Sequence, residues 1–292
     1  MAVVDQIVTP GDREQAAFRG AAIVPGMPQL LAGDPAPSWR ELSEQTRRTG
    51  EDLRAAKPDV LVVLSTQWFT VLGHQVQLDP NPRGTRVDEN WYAYDYGTLD
   101  YDLAVDVPFS EAWADAIDDA GLQARRTRYD GFPIDTGVIT AKPLLDPDGR
   151  LPIAQVSTNL YADPADLSTL GAAALRAAAA TGRSVAFVAI SGLSSGLIQR
   201  WIEPHEDRFE DDGQDRWNRR MLDLLAAGKL TEALEQSTHY AREAQADSQF
   251  RALAFLAGTG CLAGNADVRA YGPVWGTGAA VVHWPMNRST TQ

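Results

Sequence analysis

The chain's chemistry has to come from few groups. Its 292 residues include four histidines and one cysteine. His205 lies in Glu203-Pro204-His205-Glu206-Asp207, where carboxylates crowd an imidazole, a composition able to hold a hard or borderline cation. The competing reading is a solvated acidic loop. His74 follows a hydrophobic run in VLGHQVQ, and a relocated metal centre would need it to converge with Glu203, His205 and Glu206. His239 falls in a predicted helix and His283 in a predicted strand, and both read as packing or surface residues. No pair stands in HxH, HExxH or HxxxH spacing. Cys261 alone permits neither an intrachain disulfide nor a cysteine-based zinc site. Ser191-Gly192-Leu193-Ser194-Ser195-Gly196 lacks the GxSxG form of a nucleophile elbow. There is no Walker A motif, and Gly276-Thr277-Gly278 precedes a strand instead of a helix, so it reads as a tight turn.

The elements that would position such groups are legible. Asp59 to Ser65 (DVLVVLS), Pro152 to Thr158 (PIAQVST) and Ser184 to Ile190 (SVAFVAI) are apolar runs of the kind that fills a strand buried on both faces. Gly20 to Pro25 reads as a first strand and Ala279 to Trp284 as a last one. Ser38-Trp39-Arg40-Glu41 has the form of a capping box, with helical spacing to about Ala56. Further helices are expected over Ser110 to Ala120, Leu167 to Ala180, Gln214 to Ala227, Thr231 to Gln236 and Thr238 to Leu256. The β–loop–α–β opening predicts a parallel strand pair joined by a right-handed crossover. Leu78 to Pro108 reads as an elaborated loop over the sheet. The whole is one α/β domain over 1–292, with a mostly parallel central sheet flanked by helices and a poorly ordered arm over 1–18. In such a fold chemistry sits at the strand tips. The tip of the second strand reads Ser65-Thr66-Gln67-Trp68, and its glutamine neither titrates nor binds metal well.

A net charge of −13 disfavours nucleic acid and anionic lipid as partners. The start of the chain has neither the basic nor the apolar region of a signal peptide, and no run reaches membrane-spanning length. A soluble cytoplasmic protein is expected. Composition and isolated motifs go no further, and they identify no catalytic set.

Read in order, the tips carry more. Val24-Pro25-Gly26-Met27-Pro28, Leu64-Ser65-Thr66-Gln67-Trp68, Ile134-Asp135-Thr136-Gly137 and Ile190-Ser191-Gly192-Leu193-Ser194-Ser195 resemble, in order and spacing, the tips of the class III extradiol ring-cleavage dioxygenases. There the pattern runs Pro-His-x-Pro, Ser-Pro-His-Trp, Leu-Asp-His-Gly and Ser-Gly-Gly-Leu-Ser-His, followed by a late Glu. The resemblance implies an Fe(II) site of two tip histidines and the late Glu, with one further histidine as acid/base and another lining the pocket. By that resemblance this chain has Gly26 and Gln67 in place of the two ligands, Thr136 in place of the pocket histidine and Ser195 in place of the acid/base. The late Glu corresponds to Asp247, with Glu243 as the alternative register.

Longer stretches, Trp68 to His74, Asp79 to Gly84, Asp88 to Gly97 and Tyr271 to Trp284, are similar to the iron-free α type of the 2-aminophenol 1,6-dioxygenases. In that branch an α subunit pairs with a homologous catalytic β subunit. The resemblance implies no cofactor in this subunit, Fe(II) in the catalytic partner, and a hetero-oligomer such as α2β2. Trp91, Tyr92, Tyr94 and Tyr96 are candidate partner contacts, Tyr and Trp being favoured anchors. The resemblance also implies a preformed cavity that could still hold a small aromatic molecule. A stand-alone enzyme with its site around His74 and His205, and a homomeric aromatic-binding protein, are the alternatives.

Overall fold

A computed structural model describes residues 10–86, 98–196 and 200–286. An eight-stranded sheet forms its centre, in the order β6-β3-β7-β2-β8-β1-β10-β9. The inner strands β7 (Ile153–Asn159), β2 (Val60–Thr70), β8 (Val185–Ile190) and β1 (Phe18–Val24) are mutually parallel. β3 (His74–Gln77) runs antiparallel to β7 and parallel to β6 (Ala124–Thr127). On the other side β10 (Thr277–Pro285) and β9 (Asp267–Val274) form an antiparallel hairpin against β1. β4 (Arg83–Arg86) and β5 (Leu99–Asp102) form a separate ribbon within the segment expected to be loop.

The continuous apolar runs follow from burial on both faces. Along β8, Val185, Phe187 and Ala189 enter the core on one side, and Ala186, Val188 and Ile190 enter the core on the other. The first layer is α1 (Pro10–Ala17), α3 (Val107–Asp119), α5 (Pro164–Thr181) and α8 (Arg251–Ala257), with Trp113, Leu170 and Phe255 at its centre. The second layer is α2 (Pro37–Ala55) and α4 (Thr136–Leu145), with Trp39, Leu42 and Leu144 buried. α6 (Asp212–Ala226) and α7 (Leu230–Glu243) extend the first layer past β10. Among the described residues no helix is long and apolar enough to cross a membrane.

Several expectations are corrected. β1 and β2 are parallel but not neighbours, because β8 lies between them. The box at Ser38 does not form: the helix starts one residue earlier with Pro37 at its first turn, and Ser38 Oγ donates instead to Pro273 O at 2.9 Å. The two helices expected from Thr231 onward are one through Glu243, since Ser237 Oγ bonds back to Leu234 O and the helix continues past it. The expected continuation to Leu256 is instead broken, because Gln245, Ser248, Gln249 and Phe250 all have positive φ. Of the expected arm, Pro10–Ala17 is helix and Phe18 opens β1.

Candidate functional site

The tips of β1, β2 and β8, the start of α4 and the turn before α8 meet at one end of the sheet. β2 reaches this point through a bulge. Ser65 pairs with Ser157 and Phe69 with Thr158, so Thr66, Gln67 and Trp68 have no partner on β7 and are pushed out of the ladder. That extrusion lets a polar tip follow a fully buried strand. Thr66 turns inward, and Gln67 is exposed at the surface of the tip.

Gln67 Nε2 donates to Gly26 O at 3.0 Å, which ties the β2 tip to the β1 tip. Gly26 itself lies against the first turn of α4. A Cβ placed on it would stand 2.6 Å from Gly137 Cα and closer still to Ile190 Cγ2. Gly137 is equally confined, its own Cβ falling 2.7 Å from Ser65 Oγ. Glycine at both positions is what allows the β1 tip and α4 to touch. Thr136 is the first residue of α4, and the cap before it is Asp135. The Asp135 carboxylate accepts from Val138 N at 3.1 Å, Ser65 Oγ at 2.6 Å and Gln155 Nε2 at 2.5 Å. Its burial pushes this carboxyl above the ordinary carboxylate range, against the lowering effect of those three donors.

Asp247 occupies the centre of the turn between α7 and α8. Its Oδ2 accepts from Thr66 Oγ1 at 2.7 Å and Gly192 N at 2.8 Å. Ser191 Oγ lies 3.2 Å from the same oxygen and 2.8 Å from Gly192 O. One carboxylate oxygen therefore joins the late turn to the tips of both β2 and β8. The turn is held from outside as well. Ser195 N and Oγ both donate to Gln245 O, at 2.9 and 2.8 Å, and Asp247 N donates to Leu193 O at 3.0 Å. Arg251 Nε donates to Ser248 O at 2.8 Å. Beneath it Phe250 packs edge-on to the buried Tyr240, whose hydroxyl donates to Asn218 Oδ1 at 2.7 Å. Each left-handed non-glycine residue costs about 1–2 kcal/mol, and such strain persists only where the surroundings over-determine it.

The structure thus brings Gly26, Gln67, Thr136 and Asp247 to one place, with Ser195 fastening the Asp247 turn. Glu243 stays outside it, exposed at the end of α7 and paired with Arg242 at 3.1 Å. Of the two registers for the late acid, Asp247 is the one at the tips. Asp135, Gly137 and Thr66 were visible in the motif strings but carried no assigned role. The signal for Asp135 was its place just before a helix.

The relocated site is not assembled. His74 lies buried in β3, next to one edge strand, and burial lowers its pKa. Its Nδ1 has no hydrogen-bond partner among the described residues. His205 is exposed beyond the other edge, 3.5 Å from the equally exposed Asp34. Asp207, from the same acidic stretch, is engaged: it accepts from Trp39 Nε1, Trp275 N and Gly276 N at 2.7–2.8 Å. Those bonds secure the two-residue β9–β10 turn, where Trp275 and Gly276 both have positive φ. Among the described residues no three of His, Cys, Asp and Glu gather where a metal ion could be held. His239 packs edge-on to Trp217 at the surface, and His283 is buried beside Arg269, with its pKa pushed down to about 4 by burial first and Arg269 second. Trp91, Tyr92, Tyr94 and Tyr96 lie outside the described residues.

Comparison with known proteins identifies the family. Residues 22–281 match the family described as the catalytic LigB subunit of aromatic ring-opening dioxygenase. The alpha subunit of a 2-aminophenol 1,6-dioxygenase from a Pseudomonas species is 36% identical over 270 residues, covering 91% of this chain and 98% of that protein. The beta subunit of a 2-aminophenol 1,6-dioxygenase, also from a Pseudomonas species, is 27% identical over 287 residues, covering 90% and 92%. An uncharacterized Escherichia coli K12 protein of known structure shares the fold, with a TM-score of 0.64 at 15% identity over 91% of this chain and 99% of that one. With a match running through nearly its whole length, this chain belongs to the family of the catalytic LigB subunit of aromatic ring-opening dioxygenases.

Proposed function

We propose that this chain is the α-like, iron-free subunit of a heteromeric extradiol dioxygenase that opens 2-aminophenol-type rings, and that it supports a homologous catalytic β subunit. The observation that carries the reading is the contact of Gly26 with Gly137. The family's iron site needs an imidazole on the β1 tip, and here the backbone of α4 fills the space a side chain would leave through. The other two positions agree. Gln67 spends its amide N–H on Gly26 O, and Asp247 already receives hydrogen bonds from two strand tips on one oxygen. Glycine, glutamine and one engaged aspartate do not fit a two-histidine, one-carboxylate centre. Similarity to both the alpha and the beta subunit supports pairing with a homologous β subunit; an even-numbered assembly such as α2β2 rests on the family resemblance alone.

What remains for this chain is structural. The Gln67–Gly26 bond and the Asp247 clasp join β1, β2, β8 and the late turn, which are the parts a tip metal would otherwise cross-link. The test is reconstitution. Ring opening of 2-aminophenol is expected from the co-expressed pair, and none from this chain alone. Ring opening by the isolated chain at a rate comparable to the pair would refute the reading. A chain that binds an aromatic ring but never associates with the catalytic homologue would favour a homomeric binding protein.

A further inference from the structure

Five large apolar side chains stand exposed at the same end of the sheet, on two hydrogen-bonded segments: Phe69, Val71 and Leu72 after the β2 bulge, and Leu160 and Tyr161 after β7. A sixth, Tyr129, follows β6, which runs antiparallel to β7, and reaches the tip through the rings of Phe132 and Trp68. Phe69 is 62% exposed, Tyr129 66% and Tyr161 82%. They are linked through the fold. Phe69 pairs in register with Thr158, and Leu160 N donates to Thr70 O at 2.9 Å. Trp68, Phe132 and Tyr129 form a chain of rings, with centroids 6.0 and 6.4 Å apart. At roughly 200 Å² for an aromatic side chain, Phe69 and Tyr161 alone leave about 300 Å² of apolar surface in water. The aliphatic residues add to this. That is as large as the biggest apolar patch of an ordinary monomer, and about half of what one partner contributes to a standard stable interface.

The patch is also rigidly presented. The backbone that displays Leu160 and Tyr161 is fastened from below by the buried Arg251, whose Nη1 donates to Asn159 O at 2.8 Å and to Ala162 O. Asn159 Nδ2 donates to Gly73 O at 3.1 Å, and Tyr161 N to Asn159 Oδ1 at 2.9 Å. A pre-ordered apolar surface loses little conformational freedom on association. Arg251 also holds Ser248 O, so one cation braces both the patch and the Asp247 turn.

We propose that this strand-end surface, centred on Phe69 and Tyr161, is where the homologous catalytic subunit docks. The assignment rests on the heteromeric reading above, and it names the surface that reading leaves open. The area is large for an exposed patch on a monomer and supplies about half of one partner's share of a stable interface, so it fits the apolar centre of a larger contact with a protein. A second copy of this chain is disfavoured as occupant, because each copy brings a net charge of −13.

The test uses full-length chain co-expressed with its histidine-bearing homologue. Phe69→Asp, Tyr161→Asp and the double variant are compared with wild type by co-purification, light scattering and titration calorimetry. Each variant is first checked alone for an unchanged thermal midpoint. Both side chains are mostly in water, so the isolated subunit is expected to fold normally. Each single variant is expected to weaken association roughly 30-fold or more, the loss typical of a buried interface anchor, and the double variant to abolish co-purification. Folded variants that associate like wild type overturn this surface while leaving the heteromeric reading intact. A wild-type chain that never associates with the homologue overturns that reading and this inference together. A wild-type homodimer dispersed by Phe69→Asp overturns the choice of occupant. If an Asp variant fails to fold, Phe69→Ser and Tyr161→Ser carry the same comparison.

Discussion

Placing histidines at positions 26 and 67 is expected to leave the chain without iron, and the reason lies at position 26. A Cβ there would stand 2.6 Å from Gly137 Cα, where carbon atoms ordinarily keep about 3.5–4.0 Å. The β1 tip and α4 must separate by about 1 Å before even alanine fits, and an imidazole needs more. Neither neighbour yields cheaply, since Gly137 is backbone and Ile190 is buried. Forced overpacking of this kind costs about 1–3 kcal/mol, or a fall of roughly 2–4 °C in midpoint per kcal/mol for a chain of this order of size. Gly26→Ala alone is therefore expected to lower the midpoint by several degrees. Gln67→His, on an exposed side chain that gives up one neutral hydrogen bond, costs about 1 kcal/mol or less. Gly26→His with Gln67→His combines the larger penalty with an imidazole displaced from the tips. Scanning calorimetry and metal analysis after anaerobic Fe(II) incubation read both quantities on one sample. A double variant that binds about one iron per chain with an unchanged midpoint would refute the reasoning, because the tips would then have room for two imidazoles and a metal.

Other expectations concern the clasp and its surroundings. Asp247→Ala removes the acceptor shared by Thr66 and Gly192 and is expected to destabilise by about 2–3 kcal/mol, with Asp247→Asn costing less, as measured by chemical denaturation. Gln249→Gly is expected to stabilise by about 0.5–1 kcal/mol, since Gln249 is exposed with φ +59° and glycine adopts that backbone without strain; a loss of stability would show that the side chain matters there. His283 takes up a proton in the unfolded chain near 6.5 but only near 4 when folded, so stability contributed by its neutral form is present above 6.5 and lost as pH falls towards 4. Replacing His283 with Gln is expected to flatten that part of the acid limb. Gly171→Ala is expected to destabilise by about 1–3 kcal/mol, because its Cβ would run into Phe255 O where α5 and α8 cross, and a neutral result would mean that the helices can part freely.

The sheet's centre was legible because a parallel strand buried on both faces is mostly apolar: β8 and the first half of β2 are continuous apolar runs, and β7 keeps Ile153, Ala154 and Val156 among its buried Gln155, Ser157 and Thr158. β3, β6 and β9 were missed for the converse reason: two are four-residue strands and β9 is a partly exposed edge, so none carries a long apolar run. The tips could be ordered along the chain from their motifs, yet their geometry could not be read. The β2 bulge arises from register with β7, and the approach of Gly26 to Gly137 depends on residues 111 positions apart. The left-handed turn carrying Asp247 has no glycine to announce it, since tertiary hydrogen bonds impose that backbone against local preference. The acidic stretch around His205 looked like a cation site by composition, but Asp207 proved to be a hairpin fastener.

The role proposed for this chain is one in which hydrogen bonds fasten the tips where the catalytic homologue would carry iron. Its most direct test is the iron content of the purified subunit and of the purified pair after anaerobic loading with Fe(II) and removal of unbound metal. Iron is expected in the pair in proportion to the catalytic homologue, and none is expected to be retained by this chain alone. About one iron per isolated chain, lost on Asp247→Ala, would contradict it.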